Sequence, residues 1–255
     1  MGILDSFILG IVEGITEFLP VSSTGHLILA SALLHIADSD FLKTFEIVIQ
    51  LGAILAVVAL YWRSFLNIEI LKRVIVGFIP TGIIGLALYK VVKTYLIGNE
   101  AVVLWALALG GLALIVFEML HAEDVDATNA VEHITYKQAA YIGLFQAIAI
   151  IPGVSRSAAT IVGGLLLGIK RVTIVEFSFL LAVPTMVAAS GLDLVKSASS
   201  FSSGDATALA IGFVTSFAVA LFAIKFLLSF VRNRSFVVFG VYRILVAALF
   251  FWFVL

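Results

Sequence analysis

Two glutamates, Glu13 and Glu17, interrupt an otherwise apolar segment near the start of the chain. Because they are four residues apart, they share one face of a helix. Neighbouring carboxylates repel each other unless one is protonated or a cation lies between them. Mg²⁺ and Ca²⁺ are often held by one or two carboxylates together with a substrate phosphate. The apolar flanks favour such a buried cation site over the alternative, two solvated acids on a surface helix turn.

The segment from Pro20 to His26 combines a helix-start signal with hydroxyl groups. Proline suits the first turn of a helix and serine or threonine its cap, so a helix is expected to begin here. A helix N-terminus binds anions, and the hydroxyls of Ser22, Ser23 and Thr24 add hydrogen-bond donors. Since His26 follows Ser23 by three residues, its imidazole could contact a bound phosphate or the Ser23 hydroxyl. The alternative is a histidine that caps its own helix turn.

A second segment, residues 152–157, repeats this order of a break, hydroxyl caps and a helix. Ser155, Ser157 and Thr160 supply its hydroxyls, and Arg156 follows the break directly. A guanidinium is always charged and requires an anion. Arg156 could pair with one of the two glutamates or bind phosphate bidentately. We favour phosphate, because the surrounding hydroxyls and helix N-terminus suit phosphate better than carboxylate.

Other polar residues also lie within apolar segments. Three are expected to support the site or to satisfy the broken backbone: Glu46, Gln50 and Glu176. Glu118, near the end of its segment, is expected to reach water. Lys225 and Arg243 are two basic residues left within apolar stretches.

The composition requires a membrane environment for these residues. Of the 255 residues, 62% are hydrophobic and 12% are charged, against about 45–50% and about 25% in soluble domains. The mean hydropathy is +1.20. A soluble globule could not bury so much apolar surface. The chain carries 15 basic and 16 acidic residues, so it lacks a basic field for nucleic acid, and its lack of cysteine excludes disulfides and thiolate metal sites.

Six stretches are long enough to cross a bilayer, which requires about 20 apolar residues. They are residues 41–62, 71–91, 101–120, 172–192, 206–231 and 236–255. Residues 3–36 and 136–169 are apolar but broken by polar residues, which predicts two helical hairpins that enter the bilayer and turn back. The connector 121–135 is predicted to be a solvated acidic loop. No cleavable signal peptide is expected. The predicted fold is a single all-α polytopic membrane domain over residues 1–255.

The two hairpins resemble each other at a shift of 133 residues, which pairs Glu13, Ser22, Ser23 and Thr24 with Gln146, Ser155, Arg156 and Ser157. Halves of approximately 1–120 and 136–255 would each contain one hairpin and three spans. An odd number of spans inverts the second half, as in inverted-topology repeats that build a site near the membrane midplane. The arrangement puts eight basic residues on one face and four on the other. The positive-inside rule then predicts both termini and the opening of the site on the outer face.

Together, residues 13–26 (EGITEFLPVSSTGH) and 152–160 (PGVSRSAAT) resemble the two signature regions of the undecaprenyl-diphosphate phosphatases, also called bacitracin-resistance proteins. The similarity continues through residues 45–52 and 176–184. The resemblance implies removal of the terminal phosphate of undecaprenyl diphosphate, the lipid carrier of cell-wall precursors and the target of bacitracin, in the bacterial inner membrane. It also implies Mg²⁺ or Ca²⁺ as cofactor and a dimer. Its glutamate pair, serine, histidine and arginine match Glu13, Glu17, Ser23, His26 and Arg156.

Three mechanisms are compatible with these residues. Ser23 could attack phosphorus with help from His26, His26 could attack directly, or a base could activate water. Ser23 is the favoured nucleophile. The competing function is a lipid-carrier flippase with the same anion site, since inverted repeats and broken helices are also transporter features. A non-catalytic assembly protein would not need these charged residues buried together.

Overall fold

The computed structural model describes residues 1–96, 98–122, 127–197 and 206–254. Within these ranges the regular structure is helical, and ten α-helices occur in two sets of five. The first set is α1 (Ile3–Thr16), α2 (Ser23–Leu33), α3 (Asp40–Leu66), α4 (Ile68–Val91) and α5 (Glu100–Leu120). The second set is α6 (Tyr136–Ile148), α7 (Arg156–Leu166), α8 (Arg171–Ser197), α9 (Ala206–Val231) and α10 (Val237–Val254). The all-α prediction is confirmed.

Each set consists of two short helices followed by three long ones. Five of the long helices are sufficiently long and apolar to cross a membrane: α3, α4 with its π-helical extension Val92–Leu96, α5, α8 as far as Gly191, and α9. The sixth predicted span is α10, whose apolar stretch Val237–Trp252 is shorter. The short pairs α1–α2 and α6–α7 occupy the predicted hairpins.

The chain reverses within each short pair at a residue with a left-handed backbone. Ser22 has φ 74° and Ser155 has φ 78°, and these two serines are 133 positions apart. A non-glycine residue in this region costs about 1–3 kcal/mol and persists only where its surroundings hold it. Each serine immediately precedes a helix, since α2 begins at Ser23 and α7 begins at Arg156. The backbone therefore repeats the same strained turn at the spacing of 133 residues that relates the two hairpins in the sequence.

The packing of the two sets is also related. Helix α1 packs on α9, and its counterpart α6 packs on α4. Both contacts depend on glycine: a Cβ on Gly10 would lie 2.8 Å from the carbonyl oxygen of Gly212, and one on Gly143 would lie 2.0 Å from that of Gly77. Gly10 and Gly143 again differ by 133 positions. Small residues allow this close backbone approach between membrane helices.

Polar contacts join several helix ends at one end of the bundle. Glu118, at the end of α5, pairs with Arg171 of α8 and accepts a hydrogen bond from the backbone N–H of Phe236. The side chain of Glu118 is only 3% exposed, so the expectation that it reaches water is wrong. Arg73 of α4 donates to the carbonyl of Ile134 at 2.6 Å. These ends belong to the face on which the sequence places eight basic residues.

The connector 121–135 is more structured than predicted. Its carboxylates Glu123, Asp124 and Asp126 lie outside the described residues. The following backbone of Thr128 bonds to Gly168 and Lys170. A 3₁₀ turn, Val131–His133, then leads to a fully buried Ile134. This part of the connector is anchored by hydrogen bonds and apolar burial.

Candidate active site

A cavity of about 260 Å³ is lined by both hairpin turns. The first hairpin contributes Glu17, Ser22, Ser23 and Thr24, and the second contributes Ser155 and Arg156. Since Ser23 and Arg156 are the first residues of α2 and α7, two helix N-termini reach this cavity. Helix N-termini carry unpaired N–H groups and a partial positive charge, which favour an anion.

Ser23, Glu17 and Arg156 form one hydrogen-bonded chain. The Ser23 hydroxyl donates to Glu17 Oε2 at 2.6 Å. Arg156 Nη2 donates to the other carboxylate oxygen, Glu17 Oε1, at 2.7 Å. The carboxylate side chain is 7% exposed and the guanidinium 13% exposed. A serine hydroxyl beside an oriented carboxylate is an arrangement that activates a nucleophile.

Arg156 is held on several sides. Its Nη1 donates to the carbonyl of Ser178 at 3.1 Å, and its guanidinium carbon lies 5.7 Å from the ring centre of Phe18. The Nε donor is buried and has no hydrogen-bond partner in the structure. A buried N–H without an acceptor is costly. Because Arg156 also lines the cavity, its guanidinium can meet an anion there while it remains paired with Glu17.

Glu13 lies one helical turn before Glu17 and is fully buried. Neither of its carboxylate oxygens has a hydrogen-bond partner. A buried carboxylate needs a proton or a positive partner, so its donor chemistry fits the predicted divalent cation. Within the described parts of the chain, no group of three or more histidine, aspartate and glutamate side chains could hold a metal ion. A cation here would therefore need further oxygen ligands besides the two carboxylates, such as those of a phosphate.

His26 does not contact Ser23 as predicted. Its Nδ1 lies 2.8 Å from the carbonyl oxygen of Ser22, and its Nε2 lies 2.9 Å from the hydroxyl of Tyr242 on α10. Both ring nitrogens are thus engaged away from the Ser23 hydroxyl. The expected contact between His26 and Ser23 is absent, because residue spacing along a regular helix could not reveal that the turn brings Glu17 to Ser23. The other reading, a histidine that bonds within its own helix turn, agrees with the Ser22 contact.

The family described as "Bacitracin resistance protein BacA" matches residues 6–249 of the chain. The chain belongs to this family. It is 51% identical to the undecaprenyl-diphosphatase of Sulfurihydrogenibium sp. over 251 residues, which cover 98% of this chain and 99% of that protein. It is 53% identical to the undecaprenyl-diphosphatase of Aquifex aeolicus over 240 residues, with 94% and 93% covered. The corresponding protein of Wolinella succinogenes is 52% identical over 254 residues, with 99% and 98% covered.

Seven of the thirteen site residues predicted from the sequence of this BacA family member line the cavity: Glu17, Ser22, Ser23, Thr24, Gln50, Ser155 and Arg156. Six do not: Glu13, His26, Glu46, Ser157, Thr160 and Glu176. Ser157 and Thr160 were expected to bind phosphate. Instead, Ser157 donates to the carbonyl of Leu19 at 2.8 Å, which joins the two hairpins. Thr160 bonds to Ser178 at 2.6 Å, beneath Arg156.

The most consequential residue that sequence reasoning left without a role is Arg243 of α10, which is fully buried. Its guanidinium donates to five backbone carbonyls, those of Ala106, Leu107, Pro20, Gly153 and Val154. These belong to α5, to the first hairpin turn and to the second hairpin turn. Because a Cβ on Gly110 would lie 2.1 Å from Arg243 Nη2, that glycine makes room for the guanidinium. Arginine within an apolar segment is costly and was the available signal.

Three further polar side chains line another part of the cavity, and the sequence analysis did not predict that they lie together. Gln146 Nε2 donates to the hydroxyls of Thr81 and Thr185, each at 3.0 Å. Thr81 in turn donates to the carbonyl of Gly143 at 2.7 Å, and Thr185 donates to that of Leu181 at 2.8 Å. This network fixes α4, α6 and α8 around the cavity. Gln146 was identified only as the repeat partner of Glu13.

Proposed function

We propose that this chain is an undecaprenyl-diphosphatase, which hydrolyses undecaprenyl diphosphate to undecaprenyl phosphate and inorganic phosphate. The observation that carries this proposal is the series of hydrogen bonds that links the Ser23 hydroxyl, the Glu17 carboxylate and Arg156 at the cavity. Relatives about half identical over nearly the whole chain carry that enzyme name. A transporter would need an anion site, but it would not need a serine paired with a base.

In the proposed reaction Ser23 is the nucleophile and Glu17 the general base. Glu17 accepts the hydroxyl proton as Ser23 Oγ bonds to the terminal phosphorus. The bond from that phosphorus to the bridging oxygen breaks, and undecaprenyl phosphate leaves with the proton. Glu17 then takes a proton from a water molecule that attacks the phosphoserine. The bond from phosphorus to Oγ breaks, Oγ regains a proton from Glu17, and inorganic phosphate is released.

Arg156 and the helix N-termini stabilise charge on the transferring phosphoryl group. The guanidinium is fixed by Glu17 and Ser178, so little reorganisation is required as charge develops. Thr24 and Ser155 line the same cavity and offer further hydroxyls. Glu13, with Glu17, would hold a Mg²⁺ or Ca²⁺ ion. When bound, the ion would neutralise part of the diphosphate charge.

The cavity wall also has an apolar part that suits the lipid. Ile150, Ile151, Met186 and Ala189 line it on the second hairpin and α8. Ile151 is 38% exposed, so this wall is continuous with the apolar outer surface of the bundle. A polyprenyl chain could remain in lipid while its diphosphate enters the polar part. Consumption of this diphosphate would deprive bacitracin of its target and explain the family description.

We further propose that the cavity opens to the periplasmic face of the inner membrane and that both termini lie on that side. The support is the excess of basic residues at the opposite end, where Arg73 and Arg171 join helix ends. Because the chain has no cysteine, the labelling of a single introduced cysteine shows on which side of the membrane that residue lies. A Gly2→Cys variant should react with an impermeant maleimide in spheroplasts. Leu66 lies at the other end of the bundle and is 75% exposed, so a Leu66→Cys variant should react only after permeabilisation. The reverse pattern of labelling would contradict this orientation.

The experiment that separates enzyme from transporter measures phosphate release in detergent micelles, where transport across a membrane is impossible. Purified protein should release phosphate from undecaprenyl diphosphate, and Ser23→Ala should not. Lipid movement in proteoliposomes without phosphate release in micelles would favour the flippase. The absence of both activities would contradict enzyme and flippase alike.

A further inference from the structure

The turn that presents Ser23 is held differently from the equivalent turn of the second half. In the second half, Ser155 caps its own helix, since its hydroxyl accepts from the backbone N–H of Ala158 at 3.2 Å. Ser22, at the equivalent position, makes no such side-chain cap bond. The backbone is strained in both places, with φ near 74° and 78°. The half that carries Ser23 must therefore hold its turn by another contact.

His26 provides that contact. Its Nδ1 lies 2.8 Å from the carbonyl oxygen of Ser22, and its backbone N–H also donates to this oxygen at 3.4 Å. A carbonyl oxygen can only accept, so Nδ1 carries the ring proton. The backbone bond has a counterpart in the second half, where the N–H of Ala159 donates to the carbonyl of Ser155 at 3.1 Å. The ring contact has none, because Ala159, 133 positions after His26, carries no imidazole.

Tyr242 completes the arrangement. With the proton on Nδ1, the neutral ring presents Nε2 as an acceptor, and the Tyr242 hydroxyl donates to it at 2.9 Å. The two rings are also stacked, with centroids 5.4 Å apart and planes 9° apart. This fixes the tautomer and the orientation of His26, as a second hydrogen bond generally does for histidine. The residue 133 positions before Tyr242 is Leu109, so this contact also exists only for the first hairpin.

We propose that Tyr242 is a positioning residue for Ser23, which acts through His26 on the carbonyl of Ser22. The three groups form a line from α10 to the residue that immediately precedes Ser23. By holding Ser22 in its left-handed conformation, the line fixes the direction in which Ser23 leaves the turn towards Glu17. This inference rests on the proposed role of Ser23 as nucleophile. Tyr242 itself does not line the cavity, so it is not expected to bind substrate.

The test is a double-mutant cycle with Tyr242→Phe and His26→Ala, measured as phosphate release from undecaprenyl diphosphate in micelles. Tyr242→Phe keeps the stacked ring and removes only the hydroxyl, so we expect kcat to fall about 3–10-fold, the equivalent of one hydrogen bond, with KM unchanged. In the His26→Ala background, Tyr242→Phe should change kcat by less than about twofold, because the linkage is already broken. Tyr141→Phe is the matched control, since Tyr141 and Tyr242 are each 43% exposed.

Several outcomes would overturn the inference. They are a wild-type kcat in Tyr242→Phe, an equal loss in both backgrounds, and a loss carried by KM instead of kcat. The thermal midpoint of each variant, measured in the same detergent, should show that Tyr242→Phe is as folded as Tyr141→Phe. Ser23→Ala is measured in parallel: an active Ser23→Ala variant would contradict the proposed function. An inactive Ser23→Ala with an additive cycle would contradict only the role of Tyr242.

Discussion

Replacement of Glu17 by glutamine tests the proposed base with little change in shape. In the structure one carboxylate oxygen accepts from Ser23 at 2.6 Å and the other accepts from Arg156 at 2.7 Å. The amide oxygen of glutamine can keep one of these bonds, but its NH₂ group can accept neither a hydrogen bond nor a proton. Ser23 then lacks a group that can remove its proton during attack.

The size of the effect follows from the role. Loss of a general base lowers turnover by about 10²–10⁴-fold, the equivalent of about 3–5 kcal/mol in the barrier. At a saturating concentration of Mg²⁺ or Ca²⁺, so that weaker binding of the cation does not contribute, substrate binding should respond in the other direction, because removal of a negative charge beside the phosphate site weakens repulsion and frees Arg156. We therefore expect kcat to fall at least 100-fold while KM stays constant or decreases.

The assay is steady-state phosphate release from undecaprenyl diphosphate by purified variants in one detergent. Glu17→Asp retains a carboxylate that no longer reaches as far, and it should retain more turnover than Glu17→Gln. Glu100→Gln makes the same chemical change at an exposed position on α5 and should match the wild type. A Glu17→Gln variant with more than a tenth of wild-type kcat, or one whose defect lies in KM alone, would refute the role of Glu17 as base.

Three further predictions concern the groups around Ser23. Arg156→Lys keeps the charge but loses the planar fork that contacts Glu17 and Ser178, so most activity should be lost in a protein that still inserts and purifies; near-normal turnover would contradict a bidentate role. If Glu13 holds a cation, EDTA should abolish the activity of the wild type, and added Mg²⁺ or Ca²⁺ should restore it. Glu13→Gln should need a higher metal concentration for the same activity. Full activity in the presence of the chelator would show that the reaction needs no metal. In Arg243→Lys, the ammonium group has three N–H donors for five carbonyl oxygens, so at least two of these hydrogen bonds should be lost. The loss should lower the stability by about 1–5 kcal/mol and lower the thermal midpoint in detergent. An unchanged midpoint and turnover in Arg243→Lys would show that the two turns do not need this clamp.

The architecture was predictable because its signals are local. Long apolar runs define the spans, and the polar residues with Pro20 and Pro152 mark the two breaks. The first residues of α2 and α7, Ser23 and Arg156, agree with the predicted helix starts. The repeat was visible because the same types of residue return after 133 positions.

The partners within the site were less predictable because they depend on how the turns fold. Helical spacing suggested that His26 serves Ser23, but the left-handed Ser22 turns the chain so that Glu17, six residues before Ser23, is the partner. Ser157 and Thr160 carry suitable hydroxyls, yet they point to the other hairpin and to α8. Residue type alone does not distinguish a side chain that binds phosphate from one that stabilises the packing of neighbouring helices.

The remaining site residues are distant in sequence. Arg243 and Tyr242 come from the last helix and reach the first hairpin over more than 200 positions. A lone sequence shows that Arg243 is costly in an apolar segment, but it does not show which carbonyls compensate the charge. That information comes only from the packing of α5 and α10, where Gly110 leaves space for the guanidinium.

The most direct test of the proposed mechanism is the capture of phosphate on Ser23. Purified protein is mixed with undecaprenyl diphosphate labelled in its terminal phosphate, quenched in acid within the first turnover, and digested for mapping of the label. We predict an acid-stable phosphoserine at Ser23 in the wild type and its absence in Ser23→Ala, which should also release no phosphate. Wild-type turnover by Ser23→Ala, or label that is lost in mild acid as expected for phosphohistidine, would contradict Ser23 as the nucleophile.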